Sequence, residues 1–411
     1  MLALLIQSIY NIVDSFFVAK YSAVGLTALS IIYPIQLLMV ALATGTGAGV
    51  NILISRLDGL GRSKEQHQVI KSGLLLTLFH FLIFAVAGTM LAEFYFQIST
   101  DNLAVAKDGI IYTKIIFIGS LGLFVESICT KILQARGNMV IPMIAQITGS
   151  LLNIILDLFL IFGLTGFPEL GIAGAAIATV IGQWAAMFIT LIAVIRKYSL
   201  RGRFQISVCK QIYQNGIGSI VTQSLFTLYI VGLNMILKGF TEDAVTVLGI
   251  YYKIQSFFFI PLLGFQQVLL PLISYNYGAG KISRTKDILK FASIVSCCIM
   301  TVATMIFFAF PHLLIAIFST SPALLNIGSY ALRVISISFI FAGLTIVITS
   351  YLQGIARMQA SIFIIVLRQV FLLVPLAWVF HFWGLNAVWW TFPLTEVIAC
   401  VTGIICVKMF R

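Results

Sequence analysis

Charge is scarce in this chain. Asp, Glu, Lys and Arg make up 9% of its 411 residues, against about 25% in an ordinary soluble domain, which excludes a water-soluble globular fold. Acids are scarcer still, 13 against 25 basic residues, so an acid in an apolar setting needs a reason. The six cysteines show no spacing that suggests pairing or zinc and read as small packing residues. His67, His80, His312 and His381 are scattered without metal-ligand spacing. In "YGAGKIS" the glycine spacing is wrong for a phosphate loop, and Ile282 stands where Ser or Thr must hold magnesium, so ATP is not indicated as the energy source. Residues 1–19 lack the basic n-region and small-residue cleavage site of a signal peptide and read as a retained first span.

What fills the chain is apolar sequence, 60% of it by composition. A hydrocarbon core of roughly 30 Å takes about 20 helical residues to cross, and twelve runs of that kind recur along the chain. The expected fold is all-α, a polytopic membrane protein. Eighteen of the 25 Lys and Arg collect in alternate connections, at residues 56–71, 131–136, 196–210 and 281–290, at Arg357, and at Lys408 and Arg411. The intervening connections hold Lys20, Lys107 and Lys238 with Glu93, Asp101, Asp108, Glu169, Glu242 and Asp243. By the positive-inside rule the first set is cytoplasmic, as are both termini. The net charge of +12 is therefore a topology signal and not a nucleic-acid footprint.

The chain repeats itself. "LTALSIIYPIQ" from Leu26 aligns with "VTVLGIYYKIQ" from Val245 at an offset of 219, which still holds at Leu133, Gln134 and Met139 against Leu352, Gln353 and Met358. The equivalent loops at 56–71 and 281–290 are both basic, so both halves enter the membrane in the same direction. A parallel repeat of two six-helix lobes follows, with a pseudo-twofold axis along the membrane normal, an arrangement that suits a transporter. The expected division is an N-lobe at 1–198, a cytoplasmic linker at 199–209 and a C-lobe at 210–411.

Four acids fall well inside predicted helices: Asp14, Glu126, Asp157 and Glu396. A carboxylate there costs about 2.5–3.5 kcal/mol on insertion scales, so it faces a cavity or a partner. Asn153 and Asp157 are four apart, on one helical face, and Asp14 has Tyr10 four residues back and Gln7 seven back. Oxygen ligands on two facing helices suit a hard cation or a proton. Shifted by 219, Asp14, Asn153 and Asp157 fall on Leu233, Leu372 and Leu376, so the fold does not need these polar groups. Two carboxylates in one site repel, which favours proton uptake. Glu126 is a further candidate, with Lys131 or another base as its partner, and Glu396 is expected to pair with Arg333 or Arg368. The small residues of "ATGTGAGVN" and "GIAGAAIAT" suit close helix packing.

Together "YNIVDSFFVAK", "LISRLDGLG", "LQARGNMVIP", "LLNIILDLFLIFG" with "GIAGAAIATVIGQW", "PLISYNYGAGK" and "YLQGIARMQASIFI" resemble the multidrug and toxic compound extrusion (MATE) family, in its bacterial form, over essentially the whole chain. The resemblance implies twelve helices in two lobes forming a V. It also implies alternating access and export of small cationic amphipathic compounds in exchange for protons or sodium, with no organic cofactor and no enzyme activity. A cation-coupling site is implied at Asp14, Asn153, Asp157 and Thr179, as metal ligands if the ion is sodium, with Tyr10 and Gln7 as accessory polar groups. Membrane lipid is the expected surrounding, a monomer in the bacterial plasma (inner) membrane the expected form. Relatives carry more of the first helix, with a proline that bends it, so a truncated start is expected. The rivals are a lipid-linked oligosaccharide flippase of the same two-lobed fold, a passive channel, and, more remotely, a membrane-embedded prenyltransferase-like enzyme.

Overall fold

A computed structural model describes residues 2–166, 168–198, 202–318 and 321–409. Met1, Arg411 and residues 199–201 of the expected linker lie outside the described residues. The first half holds α1 (Leu2–Tyr21), α2 (Ala23–Gly59), α3 (Ser63–Ser99), α4 (Leu103–Gly119), α5 (Leu121–Ala135), α6 (Val140–Phe162) and α7 (Ile172–Lys197). After α8 (Ile206–Lys238) come α9 (Glu242–Gly278), α10 (Ile282–Ala309), α11 (Pro311–Ala316), α12 (Pro322–Ser336), α13 (Phe339–Gly354) and α14 (Met358–Val366). A π-helical turn, Leu367–Leu372, leads into α15 (Leu373–His381), α16 (Leu385–Val388) and α17 (Thr391–Met409).

Among the described residues, nine helices are long and apolar enough to cross a membrane, and the pairs α4–α5 and α12–α13, bent by 42° and 46°, raise the number to eleven. The 20 residues of α1 add about 30 Å of helix, a twelfth span. This is an integral membrane protein. Its long helices turn side chains such as Met90, Phe94 and Met235 outward, and an apolar surface of that extent suits acyl chains and not water.

Two compact units divide the chain, Leu2–Ile220 and Val221 onward, so the boundary falls inside α8. The first turns of α8 belong to the first unit because small residues let them approach α2. A Cβ on Gly216 would collide with the Gly45 carbonyl oxygen, and one on Gly49 with the Ile212 carbonyl oxygen. Packing is thus what the glycine-rich stretch of α2 does. The His80 ring is also absorbed by the fold, buried against the Tyr213 hydroxyl.

Polar stitches accompany this packing. Fully buried Ser55 donates from Oγ to the Ala135 carbonyl at 3.1 Å, capping an end of α5 whose carbonyls have no helical partner. Its repeat counterpart Ser274 is equally buried, but its hydroxyl has no hydrogen-bond partner among the described residues. Ser55→Ala is therefore expected to cost about 1 kcal/mol, whereas Ser274→Ala should be neutral or slightly stabilising. Thermal melts of the two purified variants check this, and equal losses would contradict it.

The π turn adjusts the register of the repeat. Buried residues Ser150, Asn153 and Asp157 of α6 are spaced by three and four, while Gln369, Leu373 and Ala377 are spaced by four and four. A π turn adds a residue without breaking a helix. Asn153 and Asp157 therefore correspond to Leu373 and Ala377, one residue beyond the Leu372 and Leu376 of the gapless alignment. The second unit still has apolar residues at both places.

Candidate functional site

Spacing aligns Gln7, Tyr10 and Asp14 along α1, and Gln146, Ser150, Asn153 and Asp157 along α6. These stripes meet. Gln146 Nε2 donates to Gln7 Oε1 at 2.6 Å, and farther along the two helices the Asp14 and Asp157 carboxyls are within hydrogen-bonding reach. Asp157 is fully buried. One oxygen of each carboxyl, Asp14 Oδ1 and Asp157 Oδ1, is buried without a hydrogen-bond partner among the described residues.

The third wall is α7, and glycine sets how close it comes. A Cβ on Gly182 would lie 2.6 Å from the Gly149 carbonyl oxygen and 3.2 Å from Asn153 Cβ, and one on Gly149 would lie 2.7 Å from the Gly182 carbonyl oxygen. At that separation Asn153 reaches Thr179. In the amide orientation that satisfies both ends, Asn153 donates to Asp157 Oδ2 at 3.3 Å and accepts from the Thr179 backbone N–H at 3.2 Å. The Thr179 hydroxyl lies 3.3 Å from the same end of the amide. Asp14, Asp157, Asn153 and Thr179 thus form a continuous polar chain across α1, α6 and α7.

Beside it opens a cavity of about 100 Å³. Gln7, Tyr10, Asn153 and Thr179 line it, but the two aspartates do not. Glu126 does, from α5, together with Gln146 and Gln183. The Glu126 carboxylate accepts from Thr130 Oγ1 at 2.7 Å. Lys131 donates to Gln134 Oε1 at 3.0 Å and acts on Glu126 through its charge, without a hydrogen bond between the two among the described residues. The described site includes no metal cluster: among the described residues no three His, Cys, Asp or Glu side chains group together.

Sequence reasoning missed Tyr112, whose hydroxyl accepts from Gln36 Nε2 at 3.5 Å and lies in electrostatic range of Asp14, Tyr10 and Asp157. A tyrosine in "IIYTKIIF" looks like any core aromatic; the one available signal was Gln36, which recurs in the repeat as Gln255. Gln146 and Gln183 were also missed, and a lone amide in an apolar span was their signal. In the second unit Glu396 pairs with Arg368, Nε to Oε1 at 2.7 Å, while Arg333 is exposed.

The MatE family model matches residues 1–159 and again 219–379, once in each half. The chain is 27% identical over 379 residues to the FAD transporter of Shewanella oneidensis, spanning 90% of this chain and 83% of that one. It is 26% identical to the multidrug export protein MepA of Staphylococcus saprophyticus, spanning 100% and 92%. Among solved structures it superimposes on an outward-facing multidrug resistance MATE family transporter with a TM-score of 0.92 at 22% identity, covering 100% of this chain and 93% of that one. The Vibrio cholerae MATE transporter VcmN gives 0.93 at 20% identity, covering 99% and 93%.

Proposed function

The chain belongs to the multidrug and toxic compound extrusion (MATE) family of membrane transporters, and from that premise we propose that it is a secondary active antiporter exporting cationic amphipathic organic compounds in exchange for protons or sodium by alternating access. In this reading it works as a monomer in the bacterial plasma membrane with both termini cytoplasmic, and needs no organic cofactor. The observation that carries the reading is the Asp14–Asp157 pair, with an orphaned oxygen on each carboxyl. Such oxygens are costly in a membrane interior unless a proton or cation joins them. A proton would be shared between the two carboxyls. Sodium would draw on them and on the oxygens of Asn153 and Thr179, a hard donor set.

A second reading takes its cargo from the Shewanella relative, whose name is FAD transporter. An anionic dinucleotide calls for basic groups, and so does the lipid-linked oligosaccharide of a flippase. Among the described residues the cavity lining has none, and carries Glu126 instead, which favours a cation.

The test is uptake of a fluorescent monovalent organic cation into inside-out vesicles, acid inside and free of sodium, with wild type and Asp14→Asn. One proton exchanged for one monovalent cation moves no net charge, so one pH unit supports about tenfold accumulation. Wild type is expected to approach that ratio, and an inserted Asp14→Asn to show none. Equal accumulation by both would remove Asp14 from the coupling step, and a requirement for sodium would identify the other ion.

A further inference from the structure

The burial patterns of the two halves fix how their residues correspond. Buried Ala178, Gly182, Ala186, Met187, Thr190 and Val194 of α7 recur as Thr391, Thr395, Ala399, Cys400, Gly403 and Val407 of α17, a constant offset of 213. Before the π turn, Pro142, Ala145 and Ser150 recur as Ser361, Ile364 and Gln369, an offset of 219. By these registers Tyr10 corresponds to Tyr229, Gly149 to Arg368 and Gln183 to Glu396. The three residues of the first unit all line its cavity. Their three counterparts also belong together, because Arg368 and Glu396 are paired at 2.7 Å and both act electrostatically on Tyr229.

The second unit therefore places a guanidinium, tethered to its own backbone and held by a carboxylate, where the first unit has a cavity. Gly149 contributes no side chain to fill that space. The size fits: a drug-sized ligand needs a pocket of about 300–1,000 Å³, and about 100 Å³ accommodates a head group only. So does the chemistry, since a quaternary ammonium favours aromatic walls, whereas among the described residues this lining has one aromatic, Tyr10, beside Gln7, Gln146, Gln183 and Glu126. Glu126 has Oε1 fixed by Thr130, Oε2 carries no hydrogen bond among the described residues, and Lys131, which lies in electrostatic range, gives its hydrogen bond to Gln134 instead. A planar cation with several N–H donors matches such acceptors.

We propose that the cavity of the first unit binds the guanidinium or amidinium head of a substrate, with Glu126 as the carboxylate that receives it, as Glu396 receives Arg368 in the second unit. The proposal rests on the reading of this protein as an exporter of organic cations and names the class of cation.

Titration of the purified full-length protein with benzamidinium and with benzyltrimethylammonium, at one ionic strength and without a gradient, tests it. Benzamidinium should bind about tenfold or more tightly, the value of a charge-assisted hydrogen bond. Glu126→Gln should erase that preference. Gln183→Glu, which adds the acid of the second unit, should strengthen benzamidinium binding by about tenfold. Equal binding of the two probes to wild type, undetectable benzamidinium binding, or an intact preference in a Glu126→Gln protein with an unchanged melting temperature would each overturn the proposal. Because no gradient is involved, the titration is read independently of the vesicle assay. Head-group selectivity without accumulation would retire the antiport reading alone, and accumulation without selectivity would retire this proposal alone.

Discussion

Replacing Arg368 by alanine should destabilise the second unit by about 3–5 kcal/mol, the usual cost of leaving a buried ion-pair partner uncompensated. Glu396 has a side chain only 9% exposed, its Oε1 bonded to Arg368 and its Oε2 buried without a hydrogen-bond partner among the described residues. Without the guanidinium that carboxylate keeps its charge at high cost or takes up a proton. The double variant Arg368→Met with Glu396→Leu removes both charges and should recover most of the loss, because apolar replacement of a whole buried pair is often neutral or stabilising. Thermal unfolding in detergent measures both. A double variant less stable than the single would mean that the pair holds the π turn in a way its charges do not explain.

Gly182→Ala carries the second large effect. The added Cβ would meet a backbone carbonyl, that of Gly149, at 2.6 Å, and a backbone cannot rotate away as a side chain can. Separating α6 from α7 is expected to cost about 1–3 kcal/mol, as overpacking does. It should also break the contact of Asn153 with Thr179 and reduce coupled accumulation to below about a tenth of wild type. Gly249 in α9 is the control: a Cβ there meets nothing within 4 Å, and Gly249→Ala should stabilise the helix by up to about 1 kcal/mol. If both alanine variants melt like wild type, close glycine packing does not set the geometry of the site.

Asp14 and Asp157 were legible in the sequence because membrane charge is expensive and the repeat lacks acids at the equivalent places. Their meeting was not, since helix phase tells which residues share a face but not which helix covers it. Glu126 shows the same limit: its place in α5 could be read, its place on the cavity could not. For Glu396 the sequence offered Arg333 and Arg368 alike, and only packing chooses between residues on different helices. The π turn left no trace because one extra residue inside an apolar run changes neither composition nor length perceptibly. The twelve-span order, by contrast, was readable throughout, apolar length being nearly all that membrane insertion requires.

That α8 is shared between the units bears on how the chain is made. Synthesis proceeds from the N-terminus, and domains generally fold as units. When α7 has been inserted, the first six spans are present, yet the groove of α2 around Gly45 and Gly49 still waits for Ile212, Gly216 and Ile220. The first unit is completed only by the opening of the seventh span, so maturation of one half is timed by the start of the other.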